Sequence, residues 1–243
     1  MRIEFLGTGG FFANERRQTA CVMLPEIGLV FDAGTSVFRI AQKLVNPELD
    51  IFLSHAHLDH VVGLTSLLVP LMSGKIKAAR VHASKQYLAA VQEHLFAEAI
   101  FPILPRFEFV ELKDSVAVGG GVLSHIPLVH PGGSTGFRID WPQKSLAYIT
   151  DTCVDGSYTE FVRGVDVLIH ECYYPDQMSE WSAKTGHSNT TPVAELARDA
   201  DVGRLMLVHI DPHRPGDDPI GIDTARKIFP RTEVAEDLMT IEL

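Results

Sequence analysis

Ser54-His55-Ala56-His57-Leu58-Asp59-His60 is the stretch of sequence that decides both the fold and the chemistry. It continues a short apolar segment that is typical of a β-strand. Side chains two apart on an extended chain project to the same side, so His55 and His57 share a face, whereas Asp59 and His60 lie where the chain turns into a helix. These four side chains of metal-ligand type therefore predict a site for two adjacent metal ions.

The donor types of this loop restrict the metal to a class. Imidazole and carboxylate groups bind zinc, and they also bind manganese and iron. Two metals need more ligands than the loop supplies, and three suitable side chains, His130, Asp151 and His209, each follow a predicted strand. Asp151 has two carboxylate oxygens and could bridge both metals. We therefore expect two divalent metal ions, with zinc favoured over manganese or iron.

Short apolar strands alternate with helices along the chain, and this order predicts an α/β fold. The sequence shows no linker, tandem repeat or low-complexity tract, so we interpret residues 1–243 as a single domain. Helices are predicted at Ser36–Val45, Ser84–Ile100, Pro192–Ala200 and Ile222–Phe229. Strands are predicted at Arg2–Leu6, Cys21–Leu24, Leu29–Asp32, Asp50–Ser54, Phe107–Leu112, Val122–Val129, Gly136–Asp140, Ser145–Thr150, Val165–His170, Arg204–His209 and Glu233–Leu243.

The composition excludes several classes of protein. A net charge of −10 over 243 residues argues against a surface that binds long nucleic acid through its phosphates. No apolar run reaches the roughly 18 residues of a membrane-spanning helix, and the first residues lack a signal-peptide core, so no membrane partner is expected. Three cysteines without a C-x-x-C pair fit reduced thiols, which predicts a cytoplasmic protein.

The whole pattern resembles the metallo-β-lactamase superfamily and, within it, the ribonuclease Z-like phosphodiesterase branch. The resemblance begins at Gly7-Thr8-Gly9-Gly10 and Phe31-Asp32-Ala33-Gly34, includes the histidine-rich loop and ends at His209. It implies a four-layer αββα sandwich with two metals at one edge of the sheets. It also implies two ligand sets: His55, His57, His130 and Asp151 around one metal, and Asp59, His60, Asp151 and His209 around the other.

Two further matches separate this branch from lactamases, thioesterases and lactonases. The segment ending in His170-Glu171 looks like the branch's H-E-A-T motif, and Gly186-His187-Ser188 looks like its H-S-T motif. By that resemblance Glu171 orients His187, and His187 contacts the phosphate or protonates the leaving oxygen. Asp59 could also take the proton of the attacking water. This chain departs from the pattern with Cys172-Tyr173 where Ala-Thr is usual.

A larger departure concerns the substrate. Members that process transfer RNA carry a long arm between the ligands that match His130 and Asp151, whereas only 20 residues lie between them here. We therefore predict a binuclear phosphodiesterase for a small phosphodiester: a cyclic nucleotide, a cyclic phosphate or a short nucleic-acid end. A hydroxide held between the metals would attack the phosphorus. Extended nucleic acid is not expected as a partner.

Other functions of the same fold stay open at this point. They are a thioester or lactone hydrolase, ribonuclease Z-type processing of RNA 3′ ends, a di-iron oxygen or sulfur oxidoreductase, and a non-catalytic, metal-loaded nucleotide sensor. Members of the superfamily are often dimers, and Val61–Lys77 could belong to the core or to a homodimer interface. Candidate contacts to the substrate are Arg16, Arg17, Ser134, Arg138 and His213.

Overall fold

Fourteen β-strands and eight short α-helices are formed in the computed structural model, which describes residues 1–214 and 216–243. The strands are β1 Arg2–Gly7, β2 Cys21–Leu24, β3 Leu29–Phe31, β4 Glu48–Phe52, β5 Ala78–Ala83, β6 Phe107–Glu111, β7 Ser115–Val118, β8 Gly121–Leu128, β9 Ser134–Trp141, β10 Lys144–Ile149, β11 Val167–Glu171, β12 Arg204–Val208, β13 Thr232–Val234 and β14 Met239–Glu242. The helices are α1 Ile40–Lys43, α2 Leu58–Val61, α3 Leu68–Met72, α4 Lys85–Ala90, α5 Thr159–Val162, α6 Ser179–Thr185, α7 Thr190–Asp199 and α8 Ile222–Ile228.

Two seven-stranded sheets organise these elements, in the orders β14-β1-β2-β3-β4-β5-β6 and β13-β12-β11-β10-β9-β8-β7. The chain divides into two compact units, the first made of residues 1–119 and 237–242, and the second of residues 120–236 and Leu243. The interpretation of the chain as one domain stays a prediction. None of the helices in the described residues is both long and apolar enough to cross a membrane.

The first unit builds its sheet from an antiparallel half and a parallel half. The strands β1, β2 and β14 pair antiparallel, and β3 to β6 pair parallel. Side chains from one face of the sheet, among them Val30, Ile51 and Val81, pack with Leu64 and Leu88 in one apolar cluster. The parallel strands β3 and β4 end at the same edge of the sheet, and this edge carries the residues that follow them.

The sheet of the second unit also consists of an antiparallel half and a parallel half. The strands β8, β9 and β10 form antiparallel hairpins, and β10 to β13 pair parallel. Parallel strands are usually buried on both faces, and accordingly every residue of β11 is buried. Leu168 and Leu205 pack against Val193 and Ala197 of α7 in the core of this unit.

The predicted strand Glu233–Leu243 is wrong, because β13 and β14 belong to different sheets. The chain leaves the strand conformation between them, and Leu238 adopts a left-handed backbone with φ 68°. The cause lies in side-chain contacts of Asp237, whose carboxylate accepts from the Thr8 and Gln18 amides and pairs with Arg39 at 2.6 Å. These contacts hold the chain around Asp237 against the first unit, so β13 cannot continue directly into β14 as one strand.

The predicted helix Ser84–Ile100 is too long. Ser84 caps it as expected, since its hydroxyl accepts from the Tyr87 amide, but α4 widens into a π-turn at Val91–Leu95 and stops there. The next aromatic residue, Phe96, packs edge-on against Phe101 at 5.7 Å instead of continuing the helix. The sequence analysis also gave no bounds for β5. The small and polar residues of this strand weaken its alternation of apolar and polar side chains.

Candidate metal centre

The histidine-rich loop of the first unit leaves β4 and enters α2. His57 keeps an extended backbone and immediately precedes the helix, so the direction of the chain changes within the motif. The ring centroid of His55 lies 4.4 Å from that of His57 and 4.3 Å from that of His60. Asp59 Oδ2 lies 3.4 Å from His60 Nε2. His55 and His60 are buried, whereas His57 is exposed.

Asp32, which follows β3, holds this loop. Its carboxylate accepts from the Ser54 amide at 2.8 Å, from the Ser54 hydroxyl at 2.9 Å and from His60 Nδ1 at 2.9 Å. A carboxylate only accepts, so His60 donates through Nδ1 and presents Nε2 as an acceptor. Asp32 has a left-handed backbone, with φ 57°, which Asp tolerates better than most residues. The side chain that orients His60 is therefore itself held in an uncommon conformation.

The close approach of two backbone segments explains why a glycine stands at position 63. Gly63, just after α2, donates its amide to Ala33 O at 2.8 Å, and a Cβ at this position would lie 1.9 Å from the Gly34 carbonyl oxygen. Any side chain at Gly63 would push the first turns after the histidine-rich motif away from the Asp32–Gly34 turn.

The second unit supplies its candidate donors from the ends of several strands. Asp151 and His209 follow the parallel strands β10 and β12, and both have left-handed backbones, with φ 46° and 57°. His209 Nε2 lies 3.3 Å from Asp151 Oδ1, and His130 Nε2 lies 3.7 Å from Asp151 Oδ2. Asp151, His187 and His209 each place a donor atom within 4.8 Å of those of the other two.

His130 is oriented by the main chain rather than by a carboxylate. Its Nδ1 donates to the Gly186 carbonyl oxygen at 2.9 Å, so Nε2 faces Asp151 as an acceptor. Burial lowers the pKa of His130, although the carboxylate of Asp151 acts in the opposite direction. A neutral imidazole is the form that binds a metal ion.

Glu171 and His187 form the pair expected from the sequence. His187 Nδ1 lies 2.9 Å from Glu171 Oε1, and the Glu171 carboxylate is fully buried and also accepts from the Thr152 and Ser188 amides. The His187 ring is stacked with that of Tyr173, with centroids 4.7 Å apart, and with that of His209, at 5.3 Å. The hydrogen bond to Glu171 thus holds the imidazole at its edge, and the two stacked rings hold it from its faces.

Comparisons with known proteins place this arrangement in a family. The model of the beta-lactamase superfamily domain matches residues 29–210. This chain belongs to the beta-lactamase superfamily. Ribonuclease Z from Methanosarcina acetivorans is 27% identical over an alignment 300 positions long, which covers 100% of this chain and 98% of that protein.

Solved structures agree with the family assignment. The metallo-beta-lactamase fold protein YhfI from Bacillus subtilis superposes with a TM-score of 0.83 at 19% identity, covering 100% of this chain and 99% of that one. Human tRNase Z, short form, gives a TM-score of 0.76 at 20% identity, with coverage of 100% and 99%. The predicted fold class, α/β of the metallo-β-lactamase type, is confirmed, and the chain is classed with the metal-dependent hydrolases of this superfamily.

The donor geometry of each unit fits the divalent metals of this superfamily. In the first unit, His60 Nε2 faces a carboxylate oxygen of Asp59. In the second, His130 Nε2 faces one of Asp151. Each of these nitrogens is an acceptor, because the other ring nitrogen carries the proton. Two acceptors that face each other repel unless a cation lies between them.

Three of the predicted substrate contacts make hydrogen bonds within the chain. Arg17 is buried and its guanidinium donates to the Thr8 hydroxyl at 2.5 Å. Ser134 is buried and donates to Thr150 O at 3.0 Å. Arg138 donates to the Asp140 carboxylate and to the carbonyls of Phe161 and Arg163. Contact of these three side chains with the substrate stays a prediction.

The other two candidate contacts lie at the surface. Arg16 is exposed in the loop between β1 and β2. His213 contacts the Asp211 carboxylate at 3.0 Å and, with Arg214, borders a cavity of about 380 Å³. The rest of the cavity lining is Pro175, Gln177, Asp218, Pro219 and Gly221.

Sequence reasoning missed two supports of the candidate site. Ser54 bridges Asp32 to His55 Nδ1, which lies 3.0 Å from its hydroxyl, and its place directly before His55 was the available signal. Tyr173 stacks on His187, and the only signal was its departure from the H-E-A-T motif.

Proposed function

We propose that this chain is a binuclear metal-dependent phosphodiesterase. The observation that carries the proposal is the buried Glu171 carboxylate that anchors His187, with the His187 imidazole among the donor atoms of Asp151 and His209. Hydrolysis of a phosphodiester with a poor leaving group requires a proton for the departing oxygen, whereas acyl transfer needs no such dedicated pair. An anchored imidazole of this kind suits the first reaction.

We infer that the candidate donors bind two divalent cations, with zinc as the favoured metal. His55, His57, His130 and Asp151 would hold one ion, and Asp59, His60, Asp151 and His209 the other. When bound, such a pair of ions activates water and neutralises the charge of the phosphoryl oxygens. Manganese and iron suit the same nitrogen and oxygen donors.

The protein groups would then divide the proton transfers between them. Glu171 accepts from His187 Nδ1 and would stabilise the imidazolium form, in which Nε2 carries the proton for the leaving oxygen. The stacked Tyr173 ring prevents the imidazole from turning away from that direction. Asp59 would accept the proton of the attacking water through its carboxylate.

The short connection between His130 and Asp151 supports a small substrate. It folds as the antiparallel hairpin of β9 and β10 and contains no further element. The proposed substrates are a cyclic nucleotide, a cyclic phosphate or a short nucleic-acid end. All three cysteines are free thiols, which supports a reducing compartment such as the cytoplasm. A homodimer stays a prediction, since Val61–Lys77 contributes Leu64 and Leu67 to the core and leaves Val69 and Met72 exposed.

Processing of RNA 3′ ends is the second candidate function. It is favoured by relatives named Ribonuclease Z, one of which aligns over 98% of its length. The expectation that extended nucleic acid is not a partner is unsupported by these relatives. An RNA substrate with a 3′ extension, assayed beside a cyclic nucleotide, would distinguish the two candidates.

Hydrolysis of bis(p-nitrophenyl) phosphate by the zinc- or manganese-loaded protein tests the proposal, with a thioester and a lactone as parallel substrates. We expect turnover of the phosphodiester that EDTA abolishes and that added metal restores. Acyl hydrolysis without phosphodiester turnover would assign the thioester or lactone alternative. No hydrolysis of any of the three substrates, together with tight nucleotide binding, would assign the sensor function. A coloured protein that contains iron would point to an oxidoreductase.

A further inference from the structure

Two adjacent phenylalanines are exposed beside a proposed metal ligand of the first unit. Phe11 is 65% exposed and Phe12 is 41% exposed, and their rings meet edge to face with centroids 5.3 Å apart. The Phe11 amide donates to Asp59 Oδ2 at 2.8 Å. We call these two residues the aromatic pair. Neither residue belongs to the buried apolar cluster of the first unit, so core packing alone does not account for two adjacent aromatic rings at this surface.

The loop that carries the aromatic pair is held by hydrogen bonds along its length. The Gly9 amide donates to Gln18 O and the Phe12 amide to Gly10 O, at 2.9 and 2.8 Å. The Asn14 side chain accepts from the Arg16 and Arg17 amides. Such a loop presents its exposed rings in a fixed position, which lowers the entropy lost when a flat ligand stacks on them.

The backbone of Phe11 is itself in an uncommon conformation. Its φ of 61° lies in the left-handed region, which a bulky aromatic residue rarely adopts. The same backbone turn directs the amide to Asp59 while the ring stays exposed. Strain of this kind is found at ligand-binding sites, where the surrounding structure maintains it.

We propose that the aromatic pair is a stacking platform for a nucleobase of the substrate, which makes the substrate a nucleotide phosphodiester. This inference rests on the proposed function. Aromatic side chains bind every base through its π face and need no hydrogen bonds that select one base. A base on this platform would keep its own phosphate within reach of Asp59, because a nucleotide is short. The platform therefore favours nucleotides over phosphodiesters with alkyl arms.

The test compares two esters that share one leaving group. Thymidine 5′-(p-nitrophenyl phosphate) carries a base, and ethyl p-nitrophenyl phosphate does not. We expect wild-type kcat/KM to favour the thymidine ester, and we expect this preference to fall about 5- to 150-fold in Phe11→Ala or Phe12→Ala. Phe12→Trp should keep the preference, because it keeps an aromatic face. Phe38→Ala is the matched control, since Phe38 is 51% exposed elsewhere in the first unit.

The outcomes separate the platform from the proposed function. Turnover of both esters without a preference for thymidine, or with a preference that the alanine variants keep, would overturn the platform and leave the phosphodiesterase intact. No turnover of either ester would count against the phosphodiesterase. Titration with thymidine 5′-monophosphate then decides about the platform: weaker binding in Phe11→Ala but not in Phe38→Ala supports it, and equal binding in both variants overturns it.

Discussion

The two units provide their candidate metal donors in opposite ways. In the first unit, His55 to His60 lie in one contiguous segment that enters α2, and a single carboxylate, Asp32, holds Ser54 and His60 in place. In the second unit, His130, Asp151 and His209 follow different strands, and their positions depend on the alignment of the sheet. The contiguous loop depends on local contacts, whereas the dispersed set depends on the packing of a whole unit.

Both arrangements use strained backbone where a polar side chain must leave a parallel strand. Asp32 in the first unit and Asp151 and His209 in the second have left-handed φ values. Such residues cost about 1–3 kcal/mol each and persist only where neighbouring contacts maintain them. The difference between the units therefore lies in what supports the strain and not in whether strain is present.

The largest expected effect compares the two units directly. Asp151→Asn removes the carboxylate proposed to bridge both metals, and Asn tolerates the left-handed backbone. We expect phosphodiester turnover to fall at least about 1,000-fold, because metal stabilisation of the transition state contributes several kcal/mol. Metal analysis should show that His57→Ala, on the contiguous loop, still keeps about one ion per chain while Asp151→Asn keeps less. Equal metal loss in both variants would contradict the assignment of Asp151 as the shared ligand.

A smaller and more selective loss is expected at His187 of the second unit. His187→Ala should keep both metals but slow the hydrolysis of esters with poor leaving groups by about 100- to 10,000-fold, with a much smaller loss for p-nitrophenyl esters. The leaving-group dependence of kcat is the measurement, and Glu171→Gln should show the same trend more weakly. Loss of one metal ion in His187→Ala would instead identify His187 as a ligand.

The supports of the two units can be weakened separately. Asp32→Asn keeps the backbone conformation but removes the charge that orients His60, so we expect metal affinity to fall about 10- to 100-fold. The second unit orients His130 through the Gly186 carbonyl, and a Cβ in Gly186→Ala would lie 2.5 Å from Pro131 Cδ. Metal titration of both variants shows which orienting contact matters more. Unchanged affinity in Asp32→Asn would mean that the loop positions His60 without it.

The smallest effect on activity is expected for a substitution of Asp50, which lies on β4 where this strand pairs with β5. Burial would raise the pKa of Asp50, but hydrogen bonds from Arg80 and His82 hold it well below its usual value. Asp50→Asn should lower the free energy of unfolding by about 1–3 kcal/mol at pH 7. Since the folded pKa is depressed, this stability is present above about pH 4 and is lost as the pH falls further.

Urea unfolding at pH 7 and at pH 3 measures the contribution of Asp50. The difference between wild type and Asp50→Asn should shrink at the lower pH, and a constant difference would show that the charge of Asp50 is not the cause. Metal content should be similar in both proteins at pH 7, because the Asp50 carboxylate bonds to Arg80 and His82, and neither is a proposed metal ligand.

The positions of the candidate ligands could be predicted because each follows a short apolar run. Val208 ends β12 directly before His209, and Ile149 ends β10 two residues before Asp151, so each strand ends one residue earlier than predicted. The β2 strand has the predicted bounds, Cys21–Leu24. These features depend on local patterning, which a single sequence displays. The assignment of all seven ligands to two metals stays a prediction.

Contacts between distant residues could not be predicted in the same way. Nothing near Asp237 shows that it binds the amides of Thr8 and Gln18, and those bonds interrupt the predicted last strand. The strand β5 could have been found, because Arg80 and His82 alternate with the apolar Ala79 and Val81, but its small residues weaken the signal. Tyr173 was visible only as a departure from a motif, and its stacking on His187 needed the fold.

The contacts of Asp237 also set the order in which the first unit can be completed during translation. The loop with the aromatic pair and the histidine-rich motif leaves the ribosome well before Asp237 and β14, which lie far downstream in the sequence. Until then the Thr8 and Gln18 amides lack their carboxylate partner and β1 lacks its edge neighbour. The nascent chain therefore exposes the β1 edge and this loop until β14 has been synthesised, and the first unit cannot be completed before then.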